Sequence, residues 1–172
     1  RALVEIPYAG IAATTDLGNP TCIHPARKRE VGERLAFLAL ANDYGVKGLP
    51  APAPVYKSME RDGNKLVLTF GNLPVKARNG VDSFVAFGPE GYCRPGGFEI
   101  AGEDRVFHPA VANFKYWDNR IEVYSDQVPE PVAVRYAFRN YCPEANVVTT
   151  MGQPLAPFRT DDWPLDDIGE IR

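Results

Sequence analysis

The spacing of apolar residues divides the chain into regions of different secondary structure. Residues 10–16 are a run of small and β-branched residues, which is typical of a short buried strand. A loop with glycine and proline follows, and residues 26–44 then carry apolar side chains at helical spacing opposite a charged face. Gly45 is suited to ending that helix, because glycine readily adopts the left-handed conformation. The pattern therefore predicts an α/β unit over residues 1–44.

A proline-rich stretch separates this unit from a region with strand periodicity. Residues 45–54 carry prolines at alternate positions, which favours an extended linker. Residues 55–150 contain short alternating runs divided by turn signals, a pattern typical of a β-sandwich. A strap rich in proline and aspartate follows over residues 151–172, with Phe158 and Trp163 as expected anchors. The candidate strands of the sandwich are 65–70, 83–87, 98–101, 105–107, 120–124 and 132–138.

Composition and charge exclude several classes of protein. Apolar residues make up 45% of the chain and charged residues 24%, which indicates a folded protein rather than a disordered one. A net charge of −3 gives no electrostatic reason to expect nucleic acid or an anionic membrane as partner. No apolar stretch reaches the roughly 18 residues of a membrane span. The chain opens without methionine, and we expect it to be a piece of a longer precursor.

Residues 1–44 are too few to fold alone, because one strand and one helix bury little apolar surface. They are expected to dock either on a segment outside the chain or on the sandwich. The three cysteines have no zinc-site spacing, so no metal or cofactor is predicted. Cys93 and Cys142 could pair across the sandwich, but free buried thiols are the simpler interpretation.

His24 is the candidate catalytic residue. It lies in the loop between the predicted strand and helix, and a histidine there is suited to general-base chemistry near neutral pH. Asp16 is the nearest carboxylate that could orient the ring, and a backbone carbonyl in the tight loop is the alternative. The alternative interpretation is that His24 is an ordinary exposed loop histidine without a catalytic role.

The sequence lacks a nucleophile for such a base. The chain has three serines, and none lies in a Gly-x-Ser-x-Gly elbow or at a strand-to-helix turn. They are Ser58, Ser83 and Ser125. A complete serine-hydrolase site is therefore not predicted within this chain.

Several segments form a recognisable series along the chain. They are Asp16-Leu17-Gly18-Asn19-Pro20, Ile23-His24-Pro25, Val31-Gly32-Glu33-Arg34-Leu35-Ala36, Pro54-Val55-Tyr56-Lys57-Ser58-Met59, Gly97-Phe98-Glu99-Ile100-Ala101-Gly102, Pro131-Val132-Ala133-Val134-Arg135-Tyr136-Ala137 and Pro157-Phe158-Arg159-Thr160-Asp161-Asp162-Trp163. In this order they resemble the last catalytic block and the closing region of sialate O-acetylesterases and related carbohydrate acetylesterases. The resemblance covers nearly the whole chain.

The resemblance implies an α+β fold class, in which the carboxyl-terminal end of an α/β SGNH hydrolase domain (strand, His loop, helix) precedes an all-β sandwich. It implies a serine-type esterase that removes O-acetyl groups from sugars, sialic acid being the named substrate. His24 matches the family histidine, and the serine belongs to an amino-terminal segment of the same precursor that is absent here. The resemblance also implies a secreted, periplasmic or lysosomal protein.

One departure from the family concerns the third member of the triad. Many members carry an acidic residue just before Ile-His-Pro, where this chain has Thr21 and Cys22. Asp16 and the backbone carbonyl of Cys22 are the two candidates for orienting His24.

A second hypothesis is a non-catalytic accessory sandwich that binds carbohydrate or braces a catalytic domain. Aromatic residues of the β region could form a sugar-stacking face, although sandwich core is the favoured interpretation for most of them. Those residues are Tyr92, Phe98, Tyr116, Trp117, Tyr136 and Tyr141.

Overall fold

The computed structural model describes residues 6–73, 84–115 and 119–164, whose regular secondary structure is mainly antiparallel β-sheet. These residues contain one helix, α1 (Lys28–Asn42), and eleven strands. The strands are β1 (Val55–Asp62), β2 (Lys65–Gly71), β3 (Phe84–Gly88), β4 (Gly91–Tyr92), β5 (Phe98–Ala101), β6 (His108–Pro109), β7 (Val111–Lys115), β8 (Arg120–Tyr124), β9 (Ala133–Tyr136), β10 (Val147–Thr149) and β11 (Phe158–Arg159). They form three sheets with the orders β1-β2-β8-β7, β10-β3-β4 and β11-β9-β5-β6.

The core lies between these sheets and follows from alternation along the strands. In β2 and β8, Leu66, Leu68, Ile121 and Val123 are buried, and the register places Leu66 opposite Val123 and Leu68 opposite Ile121. Such cross-strand apolar pairs stabilise a sheet while they supply its buried face. The same core continues into the third sheet through Tyr136.

Tyr136 connects two of the sheets. Its hydroxyl accepts a hydrogen bond from the Val147 backbone N–H at 3.2 Å, and burial raises the pKa of Tyr136 far above its ordinary value. Its ring packs 4.6 Å from that of Phe98. A buried tyrosine needs such a partner for its hydroxyl, and here that partner fixes the start of β10.

Gly97 allows the segment before β10 to approach β5 closely. Its φ is +83°, and a Cβ at this position would lie 2.8 Å from Cα of Ala145. A larger residue would collide with backbone rather than with a movable side chain. This contact positions the loop of residues 137–146.

The predicted α+β fold class, beginning with the end of an α/β SGNH domain, is wrong. In the described part of the chain the regular secondary structure is one helix and eleven strands in three antiparallel sheets, a β-sandwich-like class. The strand predicted at residues 10–16 does not form. An isolated strand needs backbone partners, and no neighbouring strand is available to it among the described residues. Instead, the Ala13 carbonyl accepts a hydrogen bond from the Arg34 side chain.

Within the sandwich most strand predictions are confirmed. Runs 65–70, 98–101 and 120–124 correspond to β2, β5 and β8, and 132–138 brackets β9. Run 83–87 corresponds to β3, except that Ser83 lies outside the described residues. The prediction of a strand at residues 105–107 is wrong. Arg105 has a φ of +62° and closes a turn onto the Gly102 carbonyl, which interrupts extended structure until β6.

Residues 45–54 contain no helix or strand, and Pro54 at their end is buried against the sandwich.

The tail is joined to the third sheet. Phe158 belongs to β11 and to the core, and the Trp163 ring lies 5.7 Å from that of Phe107. Asp161 accepts two hydrogen bonds from Arg135, at 2.8 and 2.9 Å. The domain boundaries drawn from the sequence stay predictions.

Candidate functional site

The segment that leads to His24 is fixed to α1 by one buried arginine. Both terminal nitrogens of Arg34 donate to the Asp16 carboxylate, at 2.7 and 2.6 Å, and one of them also donates to the Ala13 carbonyl at 2.7 Å. Such a bidentate pair restrains both position and orientation. Leu17 is buried beside it, and its N–H donates to the Thr14 carbonyl. The start of the His24 loop is therefore held in one place.

The loop itself is exposed and folds on local hydrogen bonds. The Asn19 side-chain oxygen accepts from both the N–H and the hydroxyl of Thr21, at 2.9 Å each. The His24 N–H donates to the Cys22 sulfur at 3.4 Å, and the Cys22 thiol lies 3.5 Å from the His24 carbonyl. These contacts hold the backbone at His24 and leave its side chain facing solvent.

The two residues predicted to act together are not joined by a hydrogen bond. The His24 imidazole has no hydrogen-bond partner among residues 6–73, 84–115 and 119–164, and the Asp16 carboxylate is occupied by Arg34. Of the three serines, Ser58 is exposed on β1, Ser125 is buried after β8, and Ser83 lies outside the described residues. No described serine is hydrogen-bonded to His24. The assignment of His24 and Asp16 to catalysis stays a prediction.

All three cysteines are free, and Cys22 and Cys93 are exposed rather than buried. Cys142 is half-buried, and burial raises the pKa of its thiol despite the nearby Arg139 guanidinium. The part of the chain that the structure describes holds no cluster of histidine, cysteine and carboxylate side chains suited to a metal ion. In that same part, no helix is long and apolar enough to cross a membrane.

A cleft of about 550 Å³ lies between the start of the His24 loop and the sandwich. One wall is formed by Thr14, Thr15, Asp16 and Gly18. The other consists of Phe87, Ala137, residues 139–143, residues 145–148 and Pro154. The cleft thus brings the sandwich next to the segment that carries His24.

Sequence reasoning missed Phe87 as a candidate site residue. The alternation in β3 contains a signal, since Phe84 and Ala86 point into the core and the next position must face outward. The alternation therefore places Phe87 on the outer face of β3. Phe87 and Tyr141 line the same cleft because of the sheet topology, which the spacing of residues along the sequence does not reveal.

A second cleft of about 630 Å³ lies on the other side of the same segment. Its lining is mainly apolar and includes residues 9–15, Leu38 of α1, and Ala156 and Pro157 of the tail. Residues 9–18 therefore lie beside two clefts that they share with the sandwich.

Comparison with solved structures finds a carbohydrate acetylesterase from Xanthomonas citri. The two proteins share 41% sequence identity and superimpose with a TM-score of 0.73 over 86% of this chain. The chain is similar to part of an acetylesterase. It covers 31% of the length of that protein. No protein-family model matches the chain, and no curated protein does so either.

Proposed function

We propose that this chain is part of a carbohydrate acetylesterase, an ester hydrolase that removes acetyl groups from sugars, with O-acetylated sialic acid as a candidate substrate. The observation that carries the proposal is the 41% identity to the Xanthomonas citri enzyme over 86% of the chain. An accidental fold likeness would not bring identity of that order across a sandwich and a helix together.

His24 is proposed as the general base. It is the only exposed histidine, since the other, His108, is half-buried in β6. The bidentate pair between Asp16 and Arg34 fixes the backbone that leads to it. An imidazole on a restrained loop with an unoccupied ring is suited to taking a proton from an incoming hydroxyl.

The serine is proposed to come from a segment outside this chain. The chain covers 31% of the length of the Xanthomonas citri enzyme, and its own described serines form no hydrogen bond with His24. Helix α1 supports the proposal, because Leu35 and Leu40 are exposed although a docked helix normally covers such residues. We propose that the serine-bearing segment covers part of this exposed helix surface.

The reaction would proceed in two steps. The serine hydroxyl gives its proton to the His24 imidazole while its oxygen attacks the acetyl carbonyl, and the sugar oxygen leaves with that proton. In the second step the imidazole takes a proton from water, and the hydroxide formed attacks the acetyl-serine ester. The imidazolium returns its proton to the serine oxygen, and the acetic acid that leaves ionises to acetate.

Asp16 is proposed as the acidic partner that orients His24, with the Cys22 carbonyl as the alternative. Both oxygens of Asp16 are bonded to Arg34. Asp16 would therefore have to share its carboxylate between the guanidinium and the imidazole. The Cys22 carbonyl requires no such sharing.

An acetate-release assay tests the proposal. The 172-residue chain is compared with a longer polypeptide that includes the serine-bearing segment, using O-acetylated sialic acid and a peracetylated neutral sugar. We expect acetate from the longer polypeptide and none from the chain alone. Acetate release by the chain alone, or none by the longer polypeptide with either substrate, would contradict the proposal.

A further inference from the structure

Two exposed aromatic rings stand side by side on the hairpin formed by β3 and β4. Phe87 and Tyr92 are direct cross-strand partners, and their ring centroids lie 4.7 Å apart with an interplanar angle of 32°. Phe87 is 47% exposed and Tyr92 is 78% exposed. The pair therefore presents aromatic surface to solvent instead of adding it to the core.

The hairpin holds these rings in a fixed arrangement. Gly88 and Gly91 close the pair of strands at the turn, and Gly91 has a φ of +108°, which side-chain-bearing residues rarely adopt. Phe84 and Ala86 anchor the same strand in the core. A rigid, outward-facing aromatic pair of this kind costs little conformational entropy when it binds a ligand.

A third aromatic residue and several polar groups share the adjoining cleft. Phe87 and Tyr141 both line the cleft of about 550 Å³, and Tyr141 is about half exposed. The Tyr141 hydroxyl and the Asn140 amide have no hydrogen-bond partner among the described residues. These groups can donate to and accept from hydroxyl groups of a ligand.

The charges in the cleft are compensated. Arg139 is the cation among the cleft-lining residues that the structure describes, and it pairs with Glu144 at 2.7 Å and approaches Glu99 at 3.8 Å. Asp16 is neutralised by Arg34. The cleft therefore offers aromatic faces and neutral hydrogen-bonding groups, without a spare cation for a carboxylate.

We propose that Phe87, Tyr92 and Tyr141 form a binding subsite for a neutral pyranose unit of a carbohydrate chain. The C–H face of the sugar packs on the rings, and Asn140 and Tyr141 bond its hydroxyl groups. The carbohydrate class rests on the proposed function, whereas the neutral charge follows from the paired cleft residues. Gly18 lines the cleft on the way to His24, so the bound chain would extend toward the proposed base.

Calorimetric titration of the 172-residue chain tests the subsite without requiring catalysis. The probes are cellohexaose and xylohexaose, which are neutral, and sialyllactose, which carries a carboxylate. We expect binding of at least one neutral hexaose, and a loss of affinity of about tenfold in Phe87→Ala and in Tyr92→Ala, since an aromatic contact contributes about that factor. Both side chains are exposed, and circular dichroism checks that the variants remain folded.

Tyr44→Ala is the matched control, because Tyr44 is 77% exposed but lies beyond α1 and away from the cleft. It should bind like the parent chain. No binding of either neutral hexaose, preferential binding of sialyllactose, or an equal loss in Tyr44→Ala would each overturn the proposal. Self-association that Phe87→Ala abolishes would overturn it too, in favour of a contact between copies. Failure of acetate release alone would leave the binding result standing.

Discussion

The sandwich and the amino-terminal segment differ in how far their apolar side chains are buried. In the sandwich, side chains such as Leu68 and Ile121 are fully buried between sheets. In residues 6–44, Ile11, Ile23 and Leu35 are at least half exposed. The first region is stabilised by its own core, whereas the second buries only the apolar residues Ala13, Leu17 and Leu38 and joins its segment to α1 through the pair between Arg34 and Asp16.

The region that supplies most of the buried core is therefore not the region that carries the candidate base. The candidate base, His24, lies in the region with little core of its own, and the aromatic subsite lies on the region with a complete core. Functional residues commonly occupy loops that a stable scaffold positions. Here the segment that leads to the loop is fixed to α1 by the hydrogen bonds of Arg34, and it faces the sandwich across the cleft of about 550 Å³.

The comparison predicts that equal truncations will have unequal costs. Leu68→Ala removes a side chain that is 0% exposed and should lower the free energy of unfolding by about 2–5 kcal/mol. Leu35→Ala removes one that is 51% exposed and should change it by less than about 0.5 kcal/mol. Urea denaturation measures both. A Leu35→Ala cost equal to that of Leu68→Ala would mean that α1 is part of the core.

Substitution of Asp161 in the tail should have a second, smaller effect on the free energy of unfolding, and this effect should depend on pH. Burial raises the pKa of Asp161, but the hydrogen bonds and charge of Arg135 outweigh burial and hold the pKa below its ordinary value. The Asp161 side chain is 1% exposed, so Asp161→Asn should lower stability by about 1–3 kcal/mol. Urea denaturation at neutral pH measures this loss.

The sign of the pH dependence follows from the lowered pKa. Stability from ionised Asp161 is fully present above the ordinary aspartate pKa of about 3.9 and is lost as the pH falls through the lowered value. The difference between parent and Asp161→Asn should therefore shrink on acidification. Asp126→Asn is the control, since Asp126 is exposed and forms no ion pair among the described residues. A difference that grew in acid would contradict the assignment.

The smallest effect concerns the amino-terminal segment alone. Arg34→Lys removes the bidentate pair with Asp16, and the Leu17 amide, which donates to Thr14, should exchange its hydrogen about tenfold faster. Amides of β8 should exchange at unchanged rates. Arg29→Lys is the control, because Arg29 forms only an exposed pair with Glu33. Equal acceleration in both variants would show that the Asp16 pair does not hold the segment.

The sequence predicted those strands whose alternation is strong, and it failed where tertiary context decides. Run 120–124 became β8 because Ile121 and Val123 alternate with polar residues. Strand β7, Val111–Lys115, carries asparagine and lysine and was not recognised, since its partner β8 supplies the pairing. The helix was predicted within two residues at each end. Residues 10–16 have strand composition, but strand structure requires a neighbour that composition does not reveal.

The candidate site was predictable to a similar extent. His24 stood out through its position in a loop before a helix. The engagement of Asp16 by Arg34 was not visible, because the two residues are distant in sequence and meet only when α1 packs on the segment. The aromatic subsite likewise joins Phe87 of β3 to Tyr141 of a later loop. Such juxtapositions come from topology.

The most direct test of the account replaces each of the chain's two histidines in turn, in a longer polypeptide that includes the proposed serine-bearing segment. His24→Gln should lower kcat for acetate release by about 10²–10⁴-fold, the range that general-base catalysis contributes, with unchanged folding. His108→Gln, in β6 of the sandwich, should keep kcat within about threefold of the parent. Retention of parental kcat in His24→Gln would contradict the claim that this loop supplies the base.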